Sequence, residues 1–350
     1  MRELTMRDVG DIARGAAILG AGGGGDPHIG RLLAQAALDT YGPVRLESLA
    51  HIPDDAVVVP VAMMGAPTVV LEKFPSVEQV GHAVEALATY RGRSATHIAC
   101  IEAGGINSLI PVAAAAQLGL PLIDADGMGR AFPELQMVLP ALRGIQASPM
   151  SITDEKGNCQ VIETIDNHWA ERLARAATID MGCSTTVSLY GMTGSEARSS
   201  LVNGTLSLCA ELGRLVARAG EGSTPADAVA SRLRGQRVFD GKVVDVARRT
   251  EQGFARGEAI IKGLDHDASS RLTIAFQNEN LIAKRDGVVV ATVPDLICIL
   301  DRETGEAITT ETLRYGQRIT VLVAPADPRW HTPDGLALVG PRAFGYELAL

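Results

Sequence analysis

The sequence predicts an α/β protein: an N-terminal α/β domain with a mainly parallel sheet, followed by a β-rich α+β C-terminal domain. Three observations predict this. The chain has 350 residues, which is long for one domain. In its first half, nearly continuous apolar segments alternate with helical patterns, as in parallel sheets whose strands are buried on both faces. After Val238, short alternating segments are separated by Asp-Gly, Gly and Pro turns, which is typical of a β-rich domain.

Composition changes near Ile165. The part before it is the more acidic, whereas nine of the aromatic residues, including both tryptophans, come after it. We therefore expect two domains, at residues 1–165 and 166–350. The second is expected to be helical at first and then mostly β.

Charge and cysteine usage restrict the class of protein. The formal net charge is −9, and no run of Lys and Arg interrupts it, which disfavours nucleic acid and anionic membranes as partners. The five cysteines are far apart and form no CxxC pair, which indicates a reducing compartment. The apolar stretch 12–19 carries Arg14 and is too short to span a membrane. We expect a cytoplasmic protein, and a homo-oligomer.

The first elements are two helices joined by glycines. Thr5 and Asp8 form a capping box that predicts a helix over 6–20. After the run Gly22 to Gly25, Asp26 stands in the N-cap position of a second helix. Gly20, Gly22 and Gly25 have the GxGxxG spacing, but nucleotide-binding glycine loops follow a strand, whereas this run follows a predicted helix, and GxxxxGK[ST] does not fit. No nucleotide cofactor is therefore expected. A glycine-rich turn before a helix can still approach a small anionic or carbonyl ligand.

The rest of the N-terminal domain reads as alternating strands and helices. We predict strands at 56–64, 96–102 and 120–124, and helices at 75–90, 107–118 and 127–142. A strand at 160–165 leads to a helix at 167–177, and the longest helical pattern spans 196–219. The β-rich end is expected to be a sandwich or a closed sheet.

Acidic residues and glycines follow two of the predicted strands, where ligands bind in open α/β sheets. Crowded carboxylates raise one another's pKa, which makes a general acid or base suited to neutral pH. The candidate catalytic residues are Glu102, Asp124, Asp126 and Glu134. The candidate substrate-binding residues are Gly24, Gly25, Asp26, His28, Gly104, Gly105, Asn107 and Arg130, with Arg130 as a clamp for a substrate anion.

Plainer interpretations exist for several of these residues. Asp26 and Asn107 precede helices and can be N-caps, and Asp124 or Asp126 can serve a turn. Glu102 is harder to explain structurally, because a carboxylate at the end of a buried strand needs a partner, water or a function. The seven histidines form no zinc motif, and there is no GxSxG elbow. Carboxylates can hold a hard divalent ion, so a metal cofactor is left open.

Three motifs together resemble one family. GAGGGGDP at 20–27, EAGGIN at 102–107 and DADGMGRAFPELQM at 124–137 are similar to the S-methyl thiohydantoin desulfurase family, formerly of unknown function and often labelled hydantoinase-like or oxoprolinase-like. The resemblance covers nearly the whole chain. It implies a hydrolase acting on a small cyclic amide or thiohydantoin, in which water attacks the carbon bearing the S-methyl group and methanethiol leaves. Alternatives are a hydantoinase-like cyclic amidohydrolase, a non-catalytic small-molecule-binding protein, and a subunit of a larger hydrolase.

Overall fold

The computed structural model describes residues 2–65, 69, 73, 75–218, 224–251 and 254–348. Its helices are α1 Met6–Leu19, α2 Pro27–Tyr41, α3 Val77–Arg91, α4 Ile110–Leu118, α5 Leu139–Leu142, α6 Asn167–Asp180, α7 Gly194–Ser200, α8 Thr205–Ala217, α9 Pro225–Arg232 and α10 Pro333–Val339. In the described part of the chain, no helix is both long and apolar enough to cross a membrane.

Ten strands form the first sheet. They are β1 Arg2–Leu4, β2 Val44–Glu47, β3 Val57–Gly65, β4 His97–Cys100, β5 Leu122–Asp126, β6 Met150–Thr153, β7 Cys159–Ile162, β8 Ser184–Ser188, β9 Met192–Thr193 and β10 Val202–Asn203. The main path runs β1-β2-β5-β4-β3-β8-β6-β7. Its centre, β2, β5, β4 and β3, is parallel, whereas β1, β8, β6 and β7 pair antiparallel. Seven consecutive residues of β3 are buried, so helices cover both of its faces.

Seven antiparallel strands form the second sheet. They are β11 Gln236–Glu251, β12 Phe254–Gly263, β13 Arg271–Gln277, β14 Glu279–Arg285, β15 Val288–Thr292, β16 Leu296–Asp301 and β17 Arg318–Ala324. The order is β15-β14-β13-β12-β11-β17-β16, and the sheet curls so that β14 packs near β16. The predicted fold class, an α/β domain with a mainly parallel sheet before a β-rich domain, is confirmed. The strands β8 to β10, which follow residue 165, belong to the first sheet.

Strand β16 contributes side chains to two hydrophobic cores, one on each of its faces. Leu296, Cys298 and Leu300 belong to the large core that surrounds the first sheet. Ile297 and Ile299, on the other face, belong to the core inside the curl of the second sheet. Because successive side chains of a strand point to opposite faces, one strand completes two cores.

Two sequence predictions were wrong. The segment 127–142 is a loop up to α5, because the Asp126 side chain accepts the backbone N–H groups of Met128 and Gly129 and so holds a turn instead of a helix. The long helix predicted over 196–219 is two helices, α7 and α8. Between them Val202 and Asn203 pair with β5, and Gly204 adopts a φ of +78°. Residue 219 lies outside the described residues.

Helices α1 and α8 cross at two glycines. A Cβ atom on Gly15 would lie 1.9 Å from the carbonyl oxygen of Cys209, and one on Gly213 would lie 1.9 Å from that of Asp11. Neither contact partner is a flexible side-chain end, so the two backbones can approach this closely only without a side chain. Gly10, on the same helix as Gly15, has no atom within 4 Å of the corresponding position.

We therefore expect Gly15→Ala to lower the free energy of unfolding by about 1–3 kcal/mol, because the helices must move apart to accept the methyl group. Gly10→Ala is the matched control, and is expected to raise it by about 0.5–1 kcal/mol, since alanine stabilises a helix interior. Urea unfolding of the two variants measures both. Equal stabilities for the two variants would show that the crossing does not depend on Gly15.

Candidate active site

A cleft opens at the junction of the two domains, where the strand ends of the first sheet meet the turn between β13 and β14. Its empty volume is about 910 Å³ with the open space at its mouth included. The polar residues that line it are Asp26, Glu102, Asn107, Glu134, Arg175, Asn278 and Glu279. The apolar wall includes Met63, Met64, Met128, Phe132 and Leu135. The cleft is thus mostly apolar with a few convergent polar groups, as small-molecule sites are.

The glycine loop lies between the two domains. The carbonyl of Ala21 accepts the N–H of Asn280, that of Gly22 accepts the N–H of Thr310, and that of Gly24 accepts the N–H of Ile106. A Cβ atom on Gly23 would lie 2.1 Å from a carboxyl oxygen of Glu279. The glycines therefore allow the backbone to lie against the second domain on one side and the 104–106 loop on the other.

Glu102 follows β4 and is held by Asn107. Its Oε1 accepts a hydrogen bond of 2.7 Å from the Asn107 side chain, which also binds the backbone of Met63 on β3 through both of its polar atoms. Asn107 does not cap a helix; it fixes Glu102 at the floor of the cleft. The Oε2 of Glu102 is buried and has no hydrogen-bond partner among the described residues. Burial raises the pKa of Glu102 well above its usual value, although the bond from Asn107 opposes the rise.

Glu279 is the second buried carboxylate of the cleft, and the sequence analysis did not select it. Only 2% of the residue is exposed, and its Oε2 also has no partner in the described part of the chain. Burial raises the pKa of Glu279 to about 8, opposed by the Arg130 guanidinium and by the N–H of Gly24. The charge of Glu279 in turn contributes to the raised pKa of Glu102. The two carboxyl groups are therefore electrostatically coupled.

Six of the twelve predicted site residues do not line the cleft, and three of these six, Asp124, Asp126 and Arg130, are held by contacts elsewhere. Asp124 accepts the backbone N–H of Ser207 at 3.0 Å and its hydroxyl at 2.5 Å, near the start of α8. Asp126 is fully buried, and one of its oxygens accepts three N–H groups, those of Ala103, Met128 and Gly129. Burial raises the pKa of Asp126 to about 7. Asp126 thus joins the two strand-end loops.

Arg130 is the third of these residues, and it is fully buried. It donates to the carbonyls of Ala131, Pro294 and Asp295 at 2.7–2.9 Å, and its guanidinium stacks 4.6 Å from the ring of Phe132. Burial lowers the pKa of Arg130 to about 10. Instead of clamping a substrate at the surface of the cleft, Arg130 connects the two domains behind it.

The other predicted residues lie in or beside the cleft. Gly24, Gly25 and Asp26 line it, and Asp26 also caps α2 by accepting the N–H of His28 at 2.8 Å. Glu134 lines it and accepts a hydrogen bond from Gln136. Gly104 and Gly105 support the glycine loop from behind, and the exposed ring of His28 faces Arg31. The structure thus gathers Asp26, Glu102, Asn107 and Glu134 with the two glycines at one cleft.

Arg175 on α6 is a cation of the cleft that the sequence analysis also missed. Its guanidinium binds Glu171 and stacks 4.4 Å from the ring of Phe254, on β12 of the second sheet. Glu279 lies in a run of polar residues between two apolar strands, a pattern that predicts an exposed turn. Arg175 lies in an amphipathic helix, where a charged residue is predicted to lie on the solvent-exposed face. Neither pattern distinguishes a buried site.

In the described residues, no cluster of three or more His, Cys, Asp and Glu is placed to hold a metal ion.

Fold and site together define a two-domain protein with a pair of buried carboxyl groups at the domain junction. Two family models match the chain: "S-Me-THD-like, N-terminal domain" over residues 7–164 and "S-Me-THD-like, C-terminal domain" over residues 165–350. The chain therefore belongs to the S-methyl thiohydantoin desulfurase-like family, as the motifs predicted.

The fold is shared with a solved structure. A structural-genomics target from Chromobacterium violaceum, determined by X-ray crystallography, superimposes with a TM-score of 0.78 at 24% identity and covers 99% of this chain and 98% of its own. At that identity the likeness shows the fold alone. A search of the curated proteins found no match.

The burial of Glu279 predicts a pH dependence of stability. With its pKa raised from 4.5 to about 8, the folded protein holds a proton that the unfolded chain releases between those values. The free energy of unfolding therefore loses up to about 1.4 kcal/mol per pH unit across this window as pH rises. Glu279→Gln removes this loss, so its stability relative to the wild type is expected to increase from pH 5 to pH 8, as urea unfolding will measure.

The exposed Glu303→Gln is the control, because it removes a carboxylate outside the cleft. Its stability relative to the wild type is expected to change little over the same pH range. A parallel pH dependence for Glu279→Gln and the wild type would contradict the assignment of a proton to Glu279.

Proposed function

We propose that this protein is a hydrolase that converts an S-methyl thiohydantoin and water into the corresponding hydantoin and methanethiol. One observation carries the proposal: Glu102 and Glu279, two buried carboxyl groups that each have an oxygen without a hydrogen-bond partner in the described part of the chain, line the same cleft. Two such groups can move protons on both sides of a reacting carbon. Membership of the S-methyl thiohydantoin desulfurase-like family supports the substrate class.

The apolar wall of the cleft suits the S-methyl group. Three methionines, Met63, Met64 and Met128, line it beside Phe132. Thioether side chains are flexible and polarisable, and they adapt to a small sulfur-bearing group. The polar residues lie together, so a five-membered ring can place its nitrogens towards the carboxyl groups and its S-methyl group against the methionines.

The surroundings of the two carboxyl groups give them different roles. Arg130 and the N–H of Gly24 favour the charged form of Glu279, so Glu279 loses its proton first and serves as the general base. Burial raises the pKa of Glu102, and the group that opposes this rise is the neutral amide of Asn107, not a cation. Glu102 therefore stays protonated and serves as the general acid. The base in this proposal, Glu279, is thus not among the four candidate catalytic residues that the sequence indicated.

The proposed reaction conserves every atom. Glu279 takes a proton from water, and the water oxygen bonds to the ring carbon that bears the S-methyl group, while Glu102 protonates the adjacent ring nitrogen. The carbon–sulfur bond then breaks as the added hydroxyl group gives its proton to Glu102 and the ring carbon becomes a carbonyl. Methanethiolate leaves and takes up the proton held by Glu279, which restores both carboxyl groups. Thiolate is a good leaving group, so the cleft needs no strong acid at sulfur. Asn107 orients Glu102, and Arg175 is the cation available to a substrate carbonyl.

We also propose a cytoplasmic location. All five cysteines are free, and three of them are buried. A chain with unpaired cysteines suits a reducing compartment.

The assay incubates the purified protein with S-methyl thiohydantoins and matched hydantoins, and follows free thiol and ring opening in parallel. Replacing either carboxyl group, by Glu102→Gln or Glu279→Gln, is expected to lower the rate of thiol release by about 10²–10⁴-fold. Glu303→Gln is the control and is expected to keep the wild-type rate. EDTA and added divalent ions test for a metal requirement.

Three other outcomes would contradict this proposal. Ring opening without thiol release would replace the proposal with a hydantoinase-like cyclic amidohydrolase. Saturable binding without turnover would indicate a small-molecule-binding protein. Full thiol release in both glutamine variants would remove the carboxyl pair from the mechanism.

The assignment of roles predicts the pH profile. Since the pKa of Glu279 is about 8, kcat/KM of the wild type is expected to rise with pH up to about 8, as the base ionises. The residual activity of Glu279→Gln is expected to lose this rise, whereas that of Glu102→Gln is expected to keep it. Steady-state kinetics across the pH range measures the three profiles, and the reverse pattern would exchange the two roles.

A further inference from the structure

A second cavity lies on the outer face of the curled sheet, separate from the cleft. Strands β11 to β14 form its floor, and the C-terminal segment with Phe344 and Tyr346 borders it. Its empty volume is about 1090 Å³ with open space included. The floor carries small residues, Ala247, Thr273 and Ala275, which leave room above the sheet.

Two arginines face each other across this floor. Arg249 on β11 and Arg256 on β12 are directly opposite in the antiparallel register, so their side chains lie on the same face. Like charges directly opposite each other destabilise a sheet unless an anion lies between them. Arg248 and Lys284 also line the cavity. Glu258 is the acid among its lining residues, and the register places it between Arg256 and Lys284 on the same face.

Arg256 has unused hydrogen-bonding capacity. Its Nε atom is buried and has no partner in the described part of the chain. Arg249 pairs with Glu251 at 2.8 Å on the exposed side of the sheet. Arg248, also at the cavity, donates to the carbonyls of Thr310 and Leu313. Arg256 is therefore the cation best placed to bind a ligand.

Aromatic side chains form the edge next to Arg256. Phe344 and Tyr346 are half-buried and pack against Leu281 and Ile282. Arg256, Glu258 and Tyr346 line the same cavity. Burial raises the pKa of Tyr346, the guanidinium of Arg256 opposes that rise, and the carboxylate of Glu258 adds to it. A planar guanidinium beside an aromatic ring suits a ligand that has both an anionic group and a flat apolar part.

We propose that this cavity is a binding site for a compact organic anion, a carboxylate or a phosphate attached to a planar apolar group. The anion binds Arg256, and the planar part packs against Phe344 and Tyr346. The site is independent of the catalytic proposal. It shares strands with the cleft, however: Phe254, which stacks on Arg175, lies two residues before Arg256.

Isothermal titration of the full chain with phenyl phosphate, benzoate, inorganic phosphate and phenol tests the site. We expect saturable 1:1 binding of phenyl phosphate or benzoate that is tighter than binding of phenol or inorganic phosphate, and the preferred anion identifies the head group. Arg256→Gln is expected to weaken that binding by about tenfold or more. The exposed Arg318→Gln removes the same charge elsewhere and is expected to stay within about twofold of the wild type.

Thermal unfolding shows whether the variant is intact. Without ligand and at low salt, Arg256→Gln is expected to unfold at the same temperature as the wild type or a higher one, because it removes the opposed arginines. Absence of saturable binding for all four compounds would overturn the proposal. So would equal affinity of a folded Arg256→Gln variant and the wild type, or binding of phenol as tight as that of phenyl phosphate.

Discussion

The cleft depends on a close approach of backbones at the glycine loop. Gly23 lies where a Cβ atom would meet the carboxyl group of Glu279, and the position of Gly24 would meet the backbone of Gly104. Main-chain hydrogen bonds from Asn280, Thr310 and Ile106 hold the loop in this position. A side chain at Gly23 would displace the carboxyl group of Glu279, and one at Gly24 would move the glycine loop away from Gly104. The electrostatic effect of Glu279 on Glu102 depends on that position.

Local signals predicted the elements whose ends are set by nearby residues. The capping box at Thr5 and Asp8, the N-cap at Asp26 and the apolar run of β3 all lie close to their predicted positions. The failures have a different origin. The side chain of Asp126 stops a helix at Met128, and pairing of Val202 with β5 divides the long helical pattern. Periodicity reveals neither: the turn at Asp126 is a local side-chain interaction, and the pairing of Val202 joins strands that meet only in the folded domain.

The residues of the candidate site also divide into those that the sequence could predict and those that it could not. Glu102 was predictable because it ends a buried strand, whereas Asp124, Asp126 and Arg130, in the same kind of motif, support the loops and the domain junction. An acid–glycine motif shows that a strand ends, but not which of its side chains faces the cleft. Glu279 was not predictable, because its burial results from packing against a loop more than 250 residues earlier in the chain.

The position of the cleft between two domains gives the two carboxyl groups different surroundings. Burial raises the pKa of both. The difference comes from their neighbours: an amide side chain holds Glu102, whereas a buried guanidinium and a backbone N–H favour the anion of Glu279. Arg130 acts through the domain junction, because the carbonyls that fix it belong to the second domain, as Glu279 does. The contact that joins the domains is thus the one that makes the pair of carboxyl groups unequal.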